Sequence, residues 1–201
     1  MTSRYPISYV SAILTSISYL VFSTLAYIQY PPPFSPSDHW LSDLGSRTLN
    51  VLGARFYNTG IIVTALFLLV WFLCISQWRV MNSSPQNWFL LIAKITGAAG
   101  ALSLVMSAVY PIDMLQQHSF WSHAHFMLLA MGFGFSVASL RYHPRFPRPL
   151  LYLGTAAAMS PLFVLAFGEL YILEWVTVGI FLAYVLSVGI SARNTFRPGL
   201  R

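Results

Sequence analysis

The sequence predicts an all-α polytopic membrane protein: six transmembrane helices in one bundle, a single domain over residues 1–201, with both termini cytoplasmic. Three observations predict it. Hydrophobic residues make up 57% of the chain and charged residues 8%, against roughly 25% charged in a soluble domain. That composition cannot build a water-facing surface, which excludes a soluble enzyme, a disordered chain and a nucleic-acid-binding domain. Six apolar runs follow one another, each near the ~20 residues that cross a hydrocarbon core as a helix. Finally, the cations gather on alternate connections.

The runs cover residues 8–27, 56–75, 88–109, 120–140, 150–167 and 171–191. The first has one preceding charge, Arg4. It is longer than the 7–15 apolar residues of a typical signal core, so it is expected to stay as a span. The connection 28–55 holds Pro31, Pro32, Pro33 and Pro36 and cannot be helical throughout. Pro111 ends the third span, and Pro161 predicts a kink in the fifth. Cys74, the one cysteine, excludes an internal disulfide and any multi-cysteine metal site.

One side of the membrane receives Arg4, Arg79, Arg141, Arg145, Arg148, Arg193, Arg197 and Arg201, and no acid. The other receives Arg47 and Arg55 together with all five acids: Asp38, Asp43, Asp113, Glu169 and Glu174. The positive-inside rule places the arginine-rich side in the cytoplasm. Lys94, six residues into the third span, is long enough to snorkel to that side. The net charge of +6 therefore reflects topology and contact with anionic lipid rather than nucleic acid.

The outer side also holds four of the five histidines: His39, His118, His123 and His125, with His143 opposite. Ionisable groups near a bilayer are costly and mark functional sites, so a shared outer polar site is expected. In the fourth span His118, Ser122, His125, Leu129, Gly132, Ser136 and Ser139 follow the spacing of one helix face. Thr96, Gly100, Ser103 and Ser107 form a matching small face in the third, which predicts close packing of the two. Asn58 offers a donor and an acceptor early in the second span.

Each polar residue also has a structural reading. Asp43 suits the cap of a short helix or turn. Glu174, four residues into the last span, suits an ion pair with Arg47 or Arg55. The histidines suit interfacial hydrogen bonds.

A metal site would draw on His118, His125 and Asp113, with Asp43 next, around a divalent ion such as zinc. In a regular helix His118 and His125 lie about 10 Å apart along the axis, too far to share an ion with bonds near ~2.1 Å. The metal reading therefore requires that regular helix begin only after about Ser119, with Gln116 and Gln117 in a turn.

Taken together, Ser42-Asp43-Leu44-Gly45 followed by Phe56-Tyr57-Asn58 resembles the opening of domain-of-unknown-function family 998, small six-span prokaryotic membrane proteins. Pro111-Ile112-Asp113 and a histidine at the head of the next span resemble a second motif of that family. Its histidine corresponds to His118, His123 or His125. Glu174 resembles the glutamate of the family's Glu-Arg pair, although Trp175 stands in the arginine's place. The first motif is also similar, more distantly, to that of the Frag1/DRAM/Sfk1 group, linked to lipid organisation. The resemblance implies six spans and a lipid-related role, and no established reaction.

The expectation is an outward-facing site acting on a lipid or amphiphile. As a metal-dependent hydrolase it would have Glu174 and Asp43 as catalytic groups and Ser42, Asn58, Ser122, His123 and Arg55 as binding groups. The alternatives are a non-enzymatic lipid-binding or assembly protein, and a proton-coupled transporter or sensor titrating His118, His125 and Glu174. Membrane lipids are the expected partners, with no nucleic acid.

Overall fold

The computed structural model describes residues 5–81, 83–168 and 170–196. Among these there is no strand, and six helices are long and apolar enough to cross a membrane. They are α1 (Ile7–Ile28), α2 (Ala54–Cys74), α3 (Ser84–Val109), α4 (Leu115–Leu140), α5 (Pro149–Ala166) and α6 (Ile172–Phe196). Short 3-10 helices, Leu41–Gly45 and Ile75–Trp78, precede and follow α2. Each helix packs on its neighbour in sequence, and α6 returns to α1. The bundle is thus a closed ring with room for an axial cavity.

Two helices start earlier than the apolar runs. Pro85 sits in the first turn of α3, where its missing N–H costs no hydrogen bond. The start of α4, Leu115-Gln116-Gln117, is polar but made of good helix formers. Hydrophobicity alone does not mark such a turn. It is already closed by His118 N donating to Met114 O at 2.9 Å. The Gln116-Gln117 turn required for a metal chelate is therefore helix. In the fifth span α5 runs continuously through Pro161.

The most extensive helix pairing is α3 with α4. At its centre a Cβ placed on Gly132 would come within 2.9 Å of Gly97 Cα, and one placed on Gly97 would enter the Phe72 ring. The small stripe read from sequence does face α4, with Gly97 at the closest approach beside Gly100. Behind this seam Trp71, Phe72, Phe133 and Tyr184 form the aromatic centre of the core.

Six crossings bring the α2–α3 and α4–α5 connections to one end of the bundle with the described chain ends. Arg79, Arg141, Arg145, Arg148 and Arg193 belong to that end; Arg4, Arg197 and Arg201 lie outside the described residues, as does Glu169 of the opposite end. At the arginine-rich end the buried Trp78 packs on His143, Phe146 and Phe196.

Candidate functional site

The connection between α1 and α2 caps the opposite end of the ring, and the motif residues hold it there. Glu174, in the first turn of α6, accepts through Oε2 from the N–H groups of Leu41 at 2.8 Å and Ser42 at 3.4 Å. These are donors that a helix start leaves without intrahelical partners. Trp175 Nε1 donates to His39 O at 3.1 Å and its ring packs on Phe34. Trp175 is therefore a second fastening for the same loop. The expected ion pair of Glu174 with Arg47 or Arg55 does not form; backbone donors take its place.

Asp43 caps its own turn, accepting from Trp40 N at 2.9 Å. Burial raises its pKa and the Trp40 hydrogen bond works against that rise. A Cβ on Gly45 would meet Asn58 Oδ1 at 2.5 Å, and Asn58 Nδ2 donates to Gly45 O at 2.9 Å. The glycine is there because the asparagine needs its carbonyl.

Asp113 clamps the residues that follow. It accepts from Ser46 Oγ at 2.8 Å, Arg47 N at 2.6 Å, Thr48 N at 3.1 Å and Thr48 Oγ1 at 2.6 Å. Burial works to raise its pKa, but the donors from Thr48, Arg47 and Ser46 outweigh burial and bring it to about 2. A carboxylate with a depressed folded-state pKa contributes stability above its unfolded value, near ~3.9, that is lost as pH falls through the folded one. Amide-exchange protection at Arg47 and Thr48 is expected to be high at about pH 5 and to fall toward about pH 2, with Asp113→Ala unprotected at both. Equal protection at the two pH values would contradict the clamp.

His118 is fixed by the end of α3. Its Nδ1 lies 3.0 Å from Ser107 O and 2.8 Å from Tyr110 O. The Ser107 carbonyl would bond the N–H four residues on, but that residue is Pro111 and has none. Two carbonyl partners require Nδ1 to carry a proton; in the neutral ring Nε2 is then an acceptor. His125, 8% exposed, has no close, well-aligned hydrogen bond at its buried Nδ1; the backbone group it interacts with is that of Trp121, one turn back on the same helix.

These side chains surround an axial cavity of about 80 Å³, room for several waters at ~10–15 Å³ each. Ser42, Asn58, His118, Ser122 and Glu174 form the end beneath the α1–α2 connection. Leu68, Leu129, Phe133, Phe181 and Val185 form its floor, about 16 Å deeper at the helical rise from Glu174 to Val185. It adjoins two larger spaces. A vestibule of about 300 Å³ shares Ser42, His118, Ser122 and Glu174 with it and adds His123. An apolar groove of about 470 Å³ between α1 and α6 shares Tyr19, Val178 and Leu182.

The structure thus gathers Ser42, Asn58, His118, Ser122, His125 and Glu174 in one cavity and leaves four expected residues outside it. Asp43 is a buried cap and does not line the cavity. Asp113 is consumed by its clamp. Arg55 is exposed, with its guanidinium 5.1 Å from the Phe56 ring centroid. His123 is exposed on the vestibule, its Nδ1 2.6 Å from Ser119 O.

Of the residues expected to hold a metal, Asp113 is bonded to Ser46, Arg47 and Thr48. Since α4 is regular from Leu115, the spacing of His118 and His125 is that of two helical turns. Among the described residues no group of three or more His, Cys, Asp and Glu side chains is placed to hold a metal ion.

Sequence reasoning passed over α1. Ser8, Ser11, Thr15 and Ser18 form a buried polar stripe at helical spacing, and Ser18 Oγ bonds Thr64 Oγ1 at 3.0 Å. Thr15 and Tyr19, on the same helix, reach the cavity. The three- and four-residue spacing was the available signal. The chain matches no family model, no curated protein and no solved structure.

Proposed function

We propose that this multi-pass membrane protein binds a lipid or single-chain amphiphile, without chemical conversion, at the outer end of its bundle. The polar end of the ligand sits among Glu174, His118 and Ser42, and its tail lies in the groove between α1 and α6. The observation that carries this reading is the cavity itself: polar at the end beneath the α1–α2 connection, apolar at its floor, and bordered by an apolar groove with which it shares Tyr19, Val178 and Leu182. Small-ligand sites combine mostly apolar walls with a few convergent polar groups in this way.

The lining sets the head-group chemistry. Neither the cavity nor the vestibule contains a lysine or arginine, and both contain Glu174 and the His118 acceptor. The head group is therefore a hydrogen-bond donor, an amine or a hydroxyl, and not a phosphate or carboxylate. The likeness to family 998 belongs with this proposal, as does the orientation. The positive-inside rule supports both termini, and the arginine-rich end, in the cytoplasm, with the cavity facing outward.

The test is a set of amphiphiles with one tail and different heads, titrated against purified protein in micelles. Dodecylamine and dodecanol are expected to bind at least 10-fold more tightly than dodecyl phosphate, since each 1.4 kcal/mol is tenfold in affinity. Gly179→Leu should weaken all three, because a Cβ at Gly179 has nothing within 4 Å and a side chain there would fill the groove rather than clash. Equal affinity for the three heads, or tighter phosphate binding, would overturn the reading. A metal-dependent hydrolase on the same residues needs the first turn of α4 to unwind. Stoichiometric zinc in purified protein, lost in His118→Ala, would return that reading to first place.

A further inference from the structure

A second space lies at the opposite, arginine-rich end, in the side of the bundle. It encloses about 320 Å³ and is lined by Ser76, Arg79, Asn87, Trp88 and Lys94, with Leu90 and Leu91. Its frame is built into the fold. Gln86, fully buried, donates through Nε2 to Trp78 O at 2.8 Å and accepts from Val80 N at 2.5 Å. This clamps the turn between Ile75–Trp78 and α3. Arg79 Nε donates to Asn87 Oδ1 at 2.9 Å across the pocket.

Lys94 lies ten residues past Ser84, about 15 Å along α3, among residues directed at lipid: Leu91 is 46% exposed, Ile95 60% and Trp88 66%. A charge at that depth needs a partner. The described carboxylates cannot supply one. Asp43, Asp113 and Glu174 are engaged at the other end of the ring, and Asp38 is in the loop over that end, bonded to Ser35 and Ser37.

We infer that this pocket binds the phosphate of an anionic membrane phospholipid, between Arg79 and Lys94, with its acyl chains against Trp88, Leu91 and Ile95. Two cations facing one volume, with no acid among the described residues in reach, are complementary to an anionic phosphodiester. The lipid-exposed rim selects a phosphate that carries tails over a free one. Ser76 and Asn87 add hydrogen-bonding groups at the mouth. The inference is independent of the outer cavity and holds whether or not that cavity binds an amphiphile.

The experiment compares lipid binding to purified protein in micelles by native mass spectrometry, with thermal stability as the second readout. The probes are phosphatidylglycerol, phosphatidylcholine of the same chains, and inorganic phosphate. Phosphatidylglycerol is expected to bind at least 10-fold more tightly than phosphatidylcholine and to raise the melting temperature, while inorganic phosphate at equal concentration leaves it unchanged. Lys94→Gln and Arg79→Gln each lose that preference while melting as the wild type does without lipid. Arg145→Gln, a cation of the same end outside the pocket, keeps it. Equal binding of the two lipids overturns the inference. So does a preference retained in both pocket variants or lost equally in Arg145→Gln, since either would mean diffuse surface charge. Stabilisation by inorganic phosphate equal to that by the lipid would assign the pocket to a soluble anion and overturn the lipid assignment.

Discussion

Glu174→Ala is expected to cost the protein both its ligand and part of the hold on the loop that covers the cavity, whereas Glu174→Gln should cost only the ligand. The glutamate does two things at once. Its Oε2 receives the Leu41 and Ser42 amides, and its carboxylate forms the outer wall of both the cavity and the vestibule. Alanine removes both functions. Two backbone donors lose their acceptor, at a cost of about 1–3 kcal/mol in stability. Glutamine keeps a carbonyl oxygen for those amides but removes the negative charge that an ammonium head would meet. A hydrogen bond to a charged group is worth about 1.5–3 kcal/mol, so dodecylamine affinity should fall roughly 10- to 100-fold while the melting temperature stays close to wild type. The two variants thus separate binding from loop docking. A Glu174→Gln protein that binds the amine as tightly as wild type would remove Glu174 from the head-group site.

The largest loss of stability is expected from Gly132→Leu. At Gly132 helix α4 lies against the backbone of α3: the added Cβ would stand 2.9 Å from Gly97 Cα and 3.0 Å from Gly97 N. Backbone cannot rotate out of the way as a side chain can. The two helices must separate, which opens the seam beside Leu129 and Phe133, both floor residues of the cavity. Overpacking of this kind costs ~1–3 kcal/mol and occasionally more; a leucine against backbone belongs at the upper end. Gly134→Leu is the control. It is on the same helix, and its added Cβ would meet only Ala158 Cβ at 3.6 Å, an ordinary contact. Thermal unfolding in one detergent should place Gly132→Leu well below wild type and Gly134→Leu near it. Similar melting of the two glycine variants would mean that the α3–α4 seam is not tight.

The spans were legible because apolar runs of membrane length have few other uses, and the small faces of α3 and α4 because their spacing repeats every three or four residues. The early start of α4 was not, since its first turn is polar and hydrophobicity carries no mark of it. Glu174, Asn58, Ser42, Ser122, His118 and His125 were legible as polar residues of one end of the bundle, and they line one cavity. Asp43 was legible as the cap of its own turn; Asp113 was legible as important but not in its role. A carboxylate in a motif has the same appearance whether it meets a substrate, a metal or the amide of its own turn. The donors that consume Asp113 were in view as Ser46 and Thr48, two residues apart. Nothing in the sequence places them 65 residues upstream against Asp113 until the loop is folded over the bundle. The polar stripe of α1 was in view too, but its serines and threonines sit in a run that reads as lipid-facing. What they line is decided by α2 and α6, which meet them only in the ring.

The central claim is that an amphiphile enters between α1 and α6 and places its head beneath the loop held by Glu174. The most direct measurement is photolabelling with an alkyl amine bearing a diazirine in its tail, followed by peptide mapping. The account predicts labels on the two walls of the groove, around Tyr19 to Thr24 on α1 and Val178 to Leu182 on α6. They should be suppressed by excess dodecylamine and lost in Gly179→Leu. Labels confined to the lipid-exposed outer faces, at positions such as Leu66 and Leu102, and unaffected by competitor, would contradict it.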